Sequence, residues 1–187
     1  MSIDPAHFER LIELLKKRPI EIYRERKNSG VGRSLPFGII NRRNFGLGRS
    51  RNNRRYPEHY AEMLKIAEII KPDCKWTSIM MNDNYKTLPH RDKNNDGISC
   101  IVGFGDYVNG ELNVEGDKHD IKYKPFHMDA SLQEHYTEEW SGCRYSLVFF
   151  RIKLKNPVKD KYLGFGFKEM DYLLGDYMDL DSKHKLD

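Results

Sequence analysis

Cysteine is scarce in this chain. Three occur among 187 residues, Cys74, Cys100 and Cys143, far apart and without a Cys-x-x-Cys pair. A disulfide framework and a cysteine-rich zinc site are therefore excluded, and a reducing intracellular setting, cytoplasm or nucleus, is expected. Long apolar runs are missing too, since none approaches the ~20 residues of a membrane-spanning helix. The first twenty residues interleave Asp4, Glu9 and Glu13 with apolar ones, unlike a secretory leader. Acidic side chains are absent from one long stretch: residues 26–57 hold nine basic residues and no acid. The whole chain is far more even, with 32 Lys plus Arg against 28 Asp plus Glu. What is present suits a globular domain, because 39% hydrophobic residues can fill a core while 32% charged residues keep its surface solvated. The length is that of one domain.

Patterning divides this domain into three parts: 1–75, 76–155 and 156–187. In the first, Asp4 is a good N-cap and Pro5 suits the first helical position. Phe8, Leu11, Ile12 and Leu15 then recur at helical spacing until Pro19. A second helix is expected over residues 57–70, with Tyr60, Met63, Leu64, Ala67 and Ile70 on one face and Pro72 as its stop. The acid-free segment between the helices reads as a basic loop. From Trp76 the pattern turns to short strands, expected at 76–81, 98–104, 111–114, 120–123 and 144–154. Asn94-Asn95-Asp96-Gly97, Asn109-Gly110 and Gly116-Asp117 mark turns between them, and Asn-Gly is a strong hairpin cue. Short antiparallel strands behind leading helices predict an α+β, mainly β fold, a jelly roll braced by the N-terminal helices. The 156–187 extension is rich in Tyr, Gly and Asp and turns acidic from Glu169, as either a lid or a strap.

His90-Arg91-Asp92 is a His-x-Asp triplet. On an extended chain, residues two apart face the same side, so both side chains can reach one cation. Two histidines and one carboxylate leave three coordination positions open, which suits ferrous iron that must also bind a cosubstrate and oxygen. The triplet alone decides little, because His127-Met128-Asp129 is a second one. Downstream sequence separates them. The first is followed by His119, His127, His135 and His184 and by Arg144 at the head of an apolar strand; the second has only His135 and His184 after it. In Arg144-Tyr145-Ser146-Leu147-Val148-Phe149-Phe150, Arg144 and Ser146 share a face. Pointing inward, the guanidinium can pair with a carboxylate and the hydroxyl can add a further hydrogen bond. An inward arginine without an anion is a costly unpaired charge.

Taken in order, Pro89-His90-Arg91-Asp92, Ser99, the run Gly105-Asp106-Tyr107-Val108-Asn109-Gly110-Glu111-Leu112, His135, and Gly142-Cys143-Arg144-Tyr145-Ser146-Leu147-Val148-Phe149-Phe150 resemble the iron(II)/2-oxoglutarate dioxygenases. Within them the closest likeness is to the TET/JBP branch, which oxidises the methyl group of 5-methylpyrimidines in DNA. The likeness covers roughly residues 76–151. It implies a double-stranded β-helix core, with His90, Asp92 and His135 as the catalytic iron ligands. His127 is the reserve for the distal ligand. It also implies that Arg144 and Ser146 hold the distal carboxylate of 2-oxoglutarate. Asn109-Gly110 stands where the family often has Gly-Gly, and Met128-Asp129-Ala130 where it often has Phe-Asp-Gly. Asn82, Asn84 and Tyr85 lie on or just past the strand leading to His90, and Asn82 is the candidate among them for touching the cosubstrate.

A closed iron pocket reaches a base only if that base is flipped out or unpaired, so such an enzyme needs a grip on the nucleic-acid backbone. Arg42, Arg43, Arg49, Arg51, Arg54 and Arg55 are the candidates, with Asn41, Asn44, Asn52 and Asn53 interleaved among them. The expectation is a monomeric, membrane-free DNA-binding enzyme that uses Fe(II) and 2-oxoglutarate, with RNA not excluded as the substrate polymer. A hydroxylase of the same superfamily acting on a protein or small molecule, and a non-catalytic nucleic-acid-binding module, are the alternatives.

Overall fold

A computed structural model describes residues 2–21, 30–42, 46–74 and 76–153. The 156–187 extension, the start of the basic segment at 26–29, Arg43, Asn44 and His184 lie outside the described residues. The first helix forms as its caps dictate. The Ala6 amide donates to Asp4 Oδ1 at 2.9 Å, a 3-10 turn runs over Pro5–Phe8, and α1 continues over Glu9–Lys17. The segment expected to be a basic loop is mostly strand. β1 (Gly30–Arg42) and β2 (Gly46–Arg49) form a hairpin, followed by a single turn of helix α2 (Asn52–Arg55) and by α3 (Pro57–Ile70). The period-two set Leu35, Phe37 and Ile39 is buried and drives this strand, a signal that the run of arginines around it obscured. Pro36 lies beyond the end of β2, so β1 is an edge there and tolerates a residue without an N–H. The expected apolar face of α3 is rotated: His59 and Ile66 join Met63 and Ala67 in the interior, while Tyr60, Leu64 and Ile70 pack at its margin.

Nine more strands follow among the described residues. They are β3 (Ser78–Thr87), β4 (Ser99–Phe104), β5 (Tyr107–Asn109), β6 (Leu112–Val114), β7 (Asp117–His119), β8 (Phe126–Met128), β9 (His135–Thr137), β10 (Trp140–Gly142) and β11 (Tyr145–Phe150). The main sheet has the antiparallel order β2-β1-β3-β11-β4-β8, beside a smaller sheet β7-β6-β9 and the pair β10-β5. Alternation gives the main sheet two apolar faces. Leu35, Phe37, Ile39, Ile79, Met81, Val102, Phe104, Leu147 and Phe149 pack with Phe8, Leu11, Leu15, Met63 and Ile66 of the helices. On the opposite side Ile101 and Met128 pack with Leu112 and Val114 of the small sheet and with Ile121 and Ala130.

Two expectations about turns and strands are corrected. Asn109-Gly110 does not close a hairpin. Asn109 pairs with Trp140, and Leu112 with Thr137, so β5 and β6 run in one register along the continuous partner β9–β10. Asn109 and Gly110 do adopt left-handed φ values of 64° and 75°, which kink this strand rather than reverse it. The hairpin turn comes later, at Glu115 and Gly116, which join β6 to β7 with φ of 51° and 100°, the geometry of a tight two-residue turn. The strand expected at 120–123 is instead a turn that lies against β4, with Tyr123 N donating to Gly103 O at 2.7 Å.

Phe104 is fully buried, with ring centroids 4.9 Å from Phe8 and 5.5 Å from Tyr145. It is therefore a seam between the N-terminal 3-10 turn that leads into α1 and the main sheet. Phe104→Ala is expected to cost about 3–5 kcal/mol of unfolding free energy, measured by urea denaturation. A cost below about 1 kcal/mol would show that the helices do not depend on this seam.

Candidate active site

β3 ends at Thr87, and the chain then crosses to the small sheet. His90 and His135 exchange both backbone hydrogen bonds, His90 N to His135 O at 3.2 Å and His135 N to His90 O at 3.0 Å. Asp92 N donates to Ala130 O at 2.8 Å, which fixes the next turn. The triplet thus sits just past a strand end, not within a strand as the sequence suggested. Arg91, between the two candidate ligands, points away from them. Its Nε donates to Leu132 O at 2.8 Å and its Nη2 to Glu115 at 3.3 Å.

The three side chains converge. His90 Nε2 is 3.6 Å from Asp92 Oδ1, and His135 Nε2 is 3.9 Å from Asp92 Oδ2. One potential ligand atom from each residue lies within 4.8 Å of the others, so the group could hold one metal ion. The other ring nitrogens decide its character. His90 Nδ1 lies 2.7 Å from Leu88 O, and His135 Nδ1 lies 3.0 Å from Gln133 O. A carbonyl only accepts, so each Nδ1 carries the proton and each Nε2 offers a lone pair toward Asp92. This is the arrangement metal-binding imidazoles require. A 2-His-1-carboxylate set with open positions suits non-haem Fe(II).

The triad opens on a cavity of about 360 Å³. Met80, Ile101, Leu112, Met128, Val148 and Phe150 form its apolar lining, and Asn82, Thr87, Thr137 and Ser146 are among its polar groups. Asn82 accepts from Ser34 Oγ at 2.8 Å and donates to Ser146 Oγ at 3.1 Å. A buried polar row therefore crosses β1, β3 and β11, and Asn82 orients the Ser146 hydroxyl. Arg144 precedes Ser146 on the same face but stands behind the lining. It is 2% exposed, and its guanidinium lies 5.4 Å and 5.6 Å from the ring centres of Tyr107 and Trp140. Nε donates to Gly110 O at 3.0 Å, whereas buried Nη2 has no hydrogen-bond partner among the described residues. Burial pulls the guanidinium pKa down, and Tyr107 and Glu111 act against that shift. Asn84 serves the backbone here: its Oδ1 accepts from Arg144 N at 2.9 Å.

Other candidates fall elsewhere. His127 pairs with Cys100 across β8 and β4, and its Nε2 accepts from Asp73 N at 3.2 Å. Asp129 Oδ1 accepts from both Ser131 N and Ser131 Oγ, at 3.0 and 2.6 Å, so the second triplet is spent on local structure. His119 stacks on Phe126 at 4.1 Å. Of the candidate arginines whose side chains are described, Arg49, Arg51, Arg54 and Arg55 do not line the cavity. Arg42 ends β1, Arg49 ends β2, and Arg51 caps α2. Arg54 and Arg55 close α2, which packs against β1 and α3. Arg51 and Arg54 are exposed, but Arg55 is ion-paired with Glu21, Nη1 to Oε2 at 2.7 Å. The basic residues that do line the cavity are Arg91 and Lys93, which sequence reasoning missed although both adjoin Asp92.

No family model and no curated protein matches the chain. Among solved structures, NgTET1 in complex with 5mC DNA aligns with a TM-score of 0.57 at 15% identity, over 79% of this chain and 67% of that one. The fold is a double-stranded β-helix. An oxidoreductase of the 2OG-Fe(II) oxygenase family from Burkholderia pseudomallei aligns with a TM-score of 0.47 at 14% identity, over 74% of each chain. A prolyl-4-hydroxylase from Pseudomonas putida gives 0.46 at 10% identity, over 80% of this chain and 85% of that one.

The double-stranded β-helix brings the strand kink under Arg144. A Cβ at Gly110 would stand 2.8 Å from Trp140 Cβ and 3.1 Å from Arg144 Nε, at a φ that side chains avoid. Gly110→Ala is expected to cost about 1–3 kcal/mol in urea denaturation. A loss under about 0.5 kcal/mol would show that the kink relaxes without disturbing the arginine.

Proposed function

We propose that this protein is an iron(II)- and 2-oxoglutarate-dependent dioxygenase that hydroxylates the 5-methyl group of a pyrimidine in DNA, 5-methylcytosine or thymine. The observation that carries the reading is a pairing within one buried region. An imidazole–imidazole–carboxylate set with both Nε2 atoms turned toward Asp92 stands at one end, and a buried guanidinium stands behind the other. His90, Asp92 and His135 would hold the iron, and Arg144 and Ser146 the distal carboxylate of 2-oxoglutarate. Iron with 2-oxoglutarate and oxygen supplies, when bound, the insertion of oxygen into a substrate C–H bond. The chain does the rest. The Leu88 and Gln133 carbonyls keep both imidazoles in the ligating tautomer. Asn82 turns the Ser146 hydroxyl. The Met80, Ile101, Leu112, Met128, Val148 and Phe150 side chains keep water from the reacting groups. A carboxylate on Arg144 would offset the cost of burying that charge, so the site favours a dianionic keto acid over an uncharged ligand.

DNA as the substrate polymer rests on the shared fold with NgTET1, solved in complex with 5mC DNA, and on the basic segment. A duplex is wide, so phosphate contacts from Arg51 and Arg54 need not border the cavity that takes the base. The position of these arginines outside the cavity is also what a superfamily hydroxylase acting on a protein or small molecule would show, and that is the second reading.

The protein incubated with Fe(II), 2-oxoglutarate and ascorbate on DNA containing 5-methylcytosine or thymine is expected to yield the hydroxymethyl base, detected by mass spectrometry of digested nucleosides. Succinate without an altered base would support the second reading; binding of DNA without succinate would leave a non-catalytic module. Asp92→Ala should abolish turnover while the protein stays folded. Arg144→Ala should raise the 2-oxoglutarate KM by about tenfold or more, and an unchanged KM would remove the cosubstrate assignment. For DNA binding, joint replacement of Arg51 and Arg54 by Ala should reduce the slope of log K against log salt by nearly ~0.9 per lost contact. An unaltered slope would take these arginines out of the interface.

A further inference from the structure

Two basic side chains, Arg91 and Lys93, flank Asp92 on the wall of the cavity. They differ in what they touch. The Arg91 guanidinium is engaged within the fold by Leu132 O, Glu115 and Glu134. Lys93 is exposed, and its ammonium has no ion-pair or hydrogen-bond partner among the described residues. The acids of the adjoining turns are already taken. Asp96 pairs with Arg151 at 3.3 Å, Glu115 and Glu134 pair with Arg91, and Asp92 faces the two imidazoles.

The turn that carries Lys93 is held on two sides. Asp92 N donates to Ala130 O and Asn95 N to Asp92 O, each at 2.8 Å. Lys153 N donates to Asn94 O at 2.8 Å, and Asp96 N to Arg151 O at 2.9 Å. The backbone at Lys93 is therefore fixed between the turn at Ala130 and the chain that leaves β11. A lysine on an open surface is simply solvated. This one stands on a cavity wall, one residue from a member of the metal-ligand set.

Charge balance gives that ammonium a task. In the dioxygenase reading, Asp92 and a dianionic keto acid together offset a divalent ion and the Arg144 guanidinium, which leaves the charge of Lys93 over. Beside a divalent ion this charge is repulsive unless a further anion comes within reach. The substrate of that reading brings one. A nucleotide whose base enters the cavity carries its phosphates one sugar ring behind the base. The flexible four-carbon stem of a lysine suits a point-charge contact to such a group.

We propose that Lys93 grips a phosphate adjoining the target base, so that the flipped nucleotide itself is held, and not only the DNA around it. This inference rests on the DNA dioxygenase reading above and deepens it, because the substrate is then recognised as a nucleotide within a phosphodiester chain rather than as a free base or nucleoside. Arg51 and Arg54 grip DNA outside the cavity, and Lys93 grips it at the cavity.

The test couples a change in the protein with a change in the substrate. Protein loaded with 2-oxoglutarate and Mn(II), which avoids turnover, is titrated by fluorescence anisotropy against single-stranded oligonucleotides that hold one 5-methylcytosine. One oligonucleotide has ordinary phosphates; two others carry a single uncharged methylphosphonate, on the 5′ or the 3′ side of the target. Lys93→Gln should weaken binding of the ordinary oligonucleotide about fivefold or more. One of the two methylphosphonates should cost the parent a similar factor, yet leave the variant within about twofold of its affinity for the ordinary strand, the non-additivity of groups in direct contact. The urea midpoint and the calorimetric affinity for 2-oxoglutarate should not move. Losses that multiply at both linkages would overturn the proposal, as would a variant that binds the ordinary strand as the parent does. A parent protein without affinity for the oligonucleotide would bring down the DNA reading and this inference with it.

Discussion

The paired backbone hydrogen bonds between His90 and His135 join two parts of the chain that are far apart in sequence. One imidazole follows the long central strand β3; the other opens β9 of the small sheet. Their two-way bridge sets the ring centres 4.3 Å apart, and each Nδ1 is then within reach of a carbonyl two residues upstream. Rotation of either ring would give up that hydrogen bond and turn its lone pair away from Asp92. The bridge therefore fixes spacing, tautomer and direction together, before any ion arrives. Preorganisation of this kind lets a weakly held divalent ion find three ligands at once.

A second constraint acts on charge. Arg144 is buried against two aromatic rings, with Gly110 O as the acceptor for its Nε, and this leaves part of its charge uncompensated. A folded chain tolerates such a group where its burial is offset on binding. The main sheet makes this possible by having two different faces. Its helix-covered face carries the large apolar cluster that stabilises the domain, which frees the other face to hold the polar row Ser34, Asn82 and Ser146 and the buried guanidinium. The kink at Asn109-Gly110 belongs to the same economy of space, because it brings a carbonyl to Arg144 while β5 and β6 keep one register against β9 and β10.

The metal-ligand candidates were legible from residues close in sequence. His90-x-Asp92 is a local pattern, and the Arg144-x-Ser146 alternation is local too. His135 was reachable only through the order of motifs, since four histidines follow the triplet and spacing alone separates none of them. The basic segment was misread as a loop because charge was weighed above the period-two burial of Leu35, Phe37 and Ile39. Asn109-Gly110 was read as a hairpin because its left-handed backbone is a local property, whereas the partner strand it runs along lies about thirty residues away.

By itself the sequence determined the helix caps, the amphipathic strands, the His-x-Asp pair and the charge-bearing strand that ends the core, all of which depend on neighbours a few positions apart. Only the tertiary structure decided that His135 stands beside His90 and Asp92, that Tyr107 and Arg144 share a buried corner, and that the arginines of α2 stand away from the cavity. Those are contacts between residues tens of positions apart. They exist because antiparallel pairing across two sheets sets a register, and no local pattern in the chain records it.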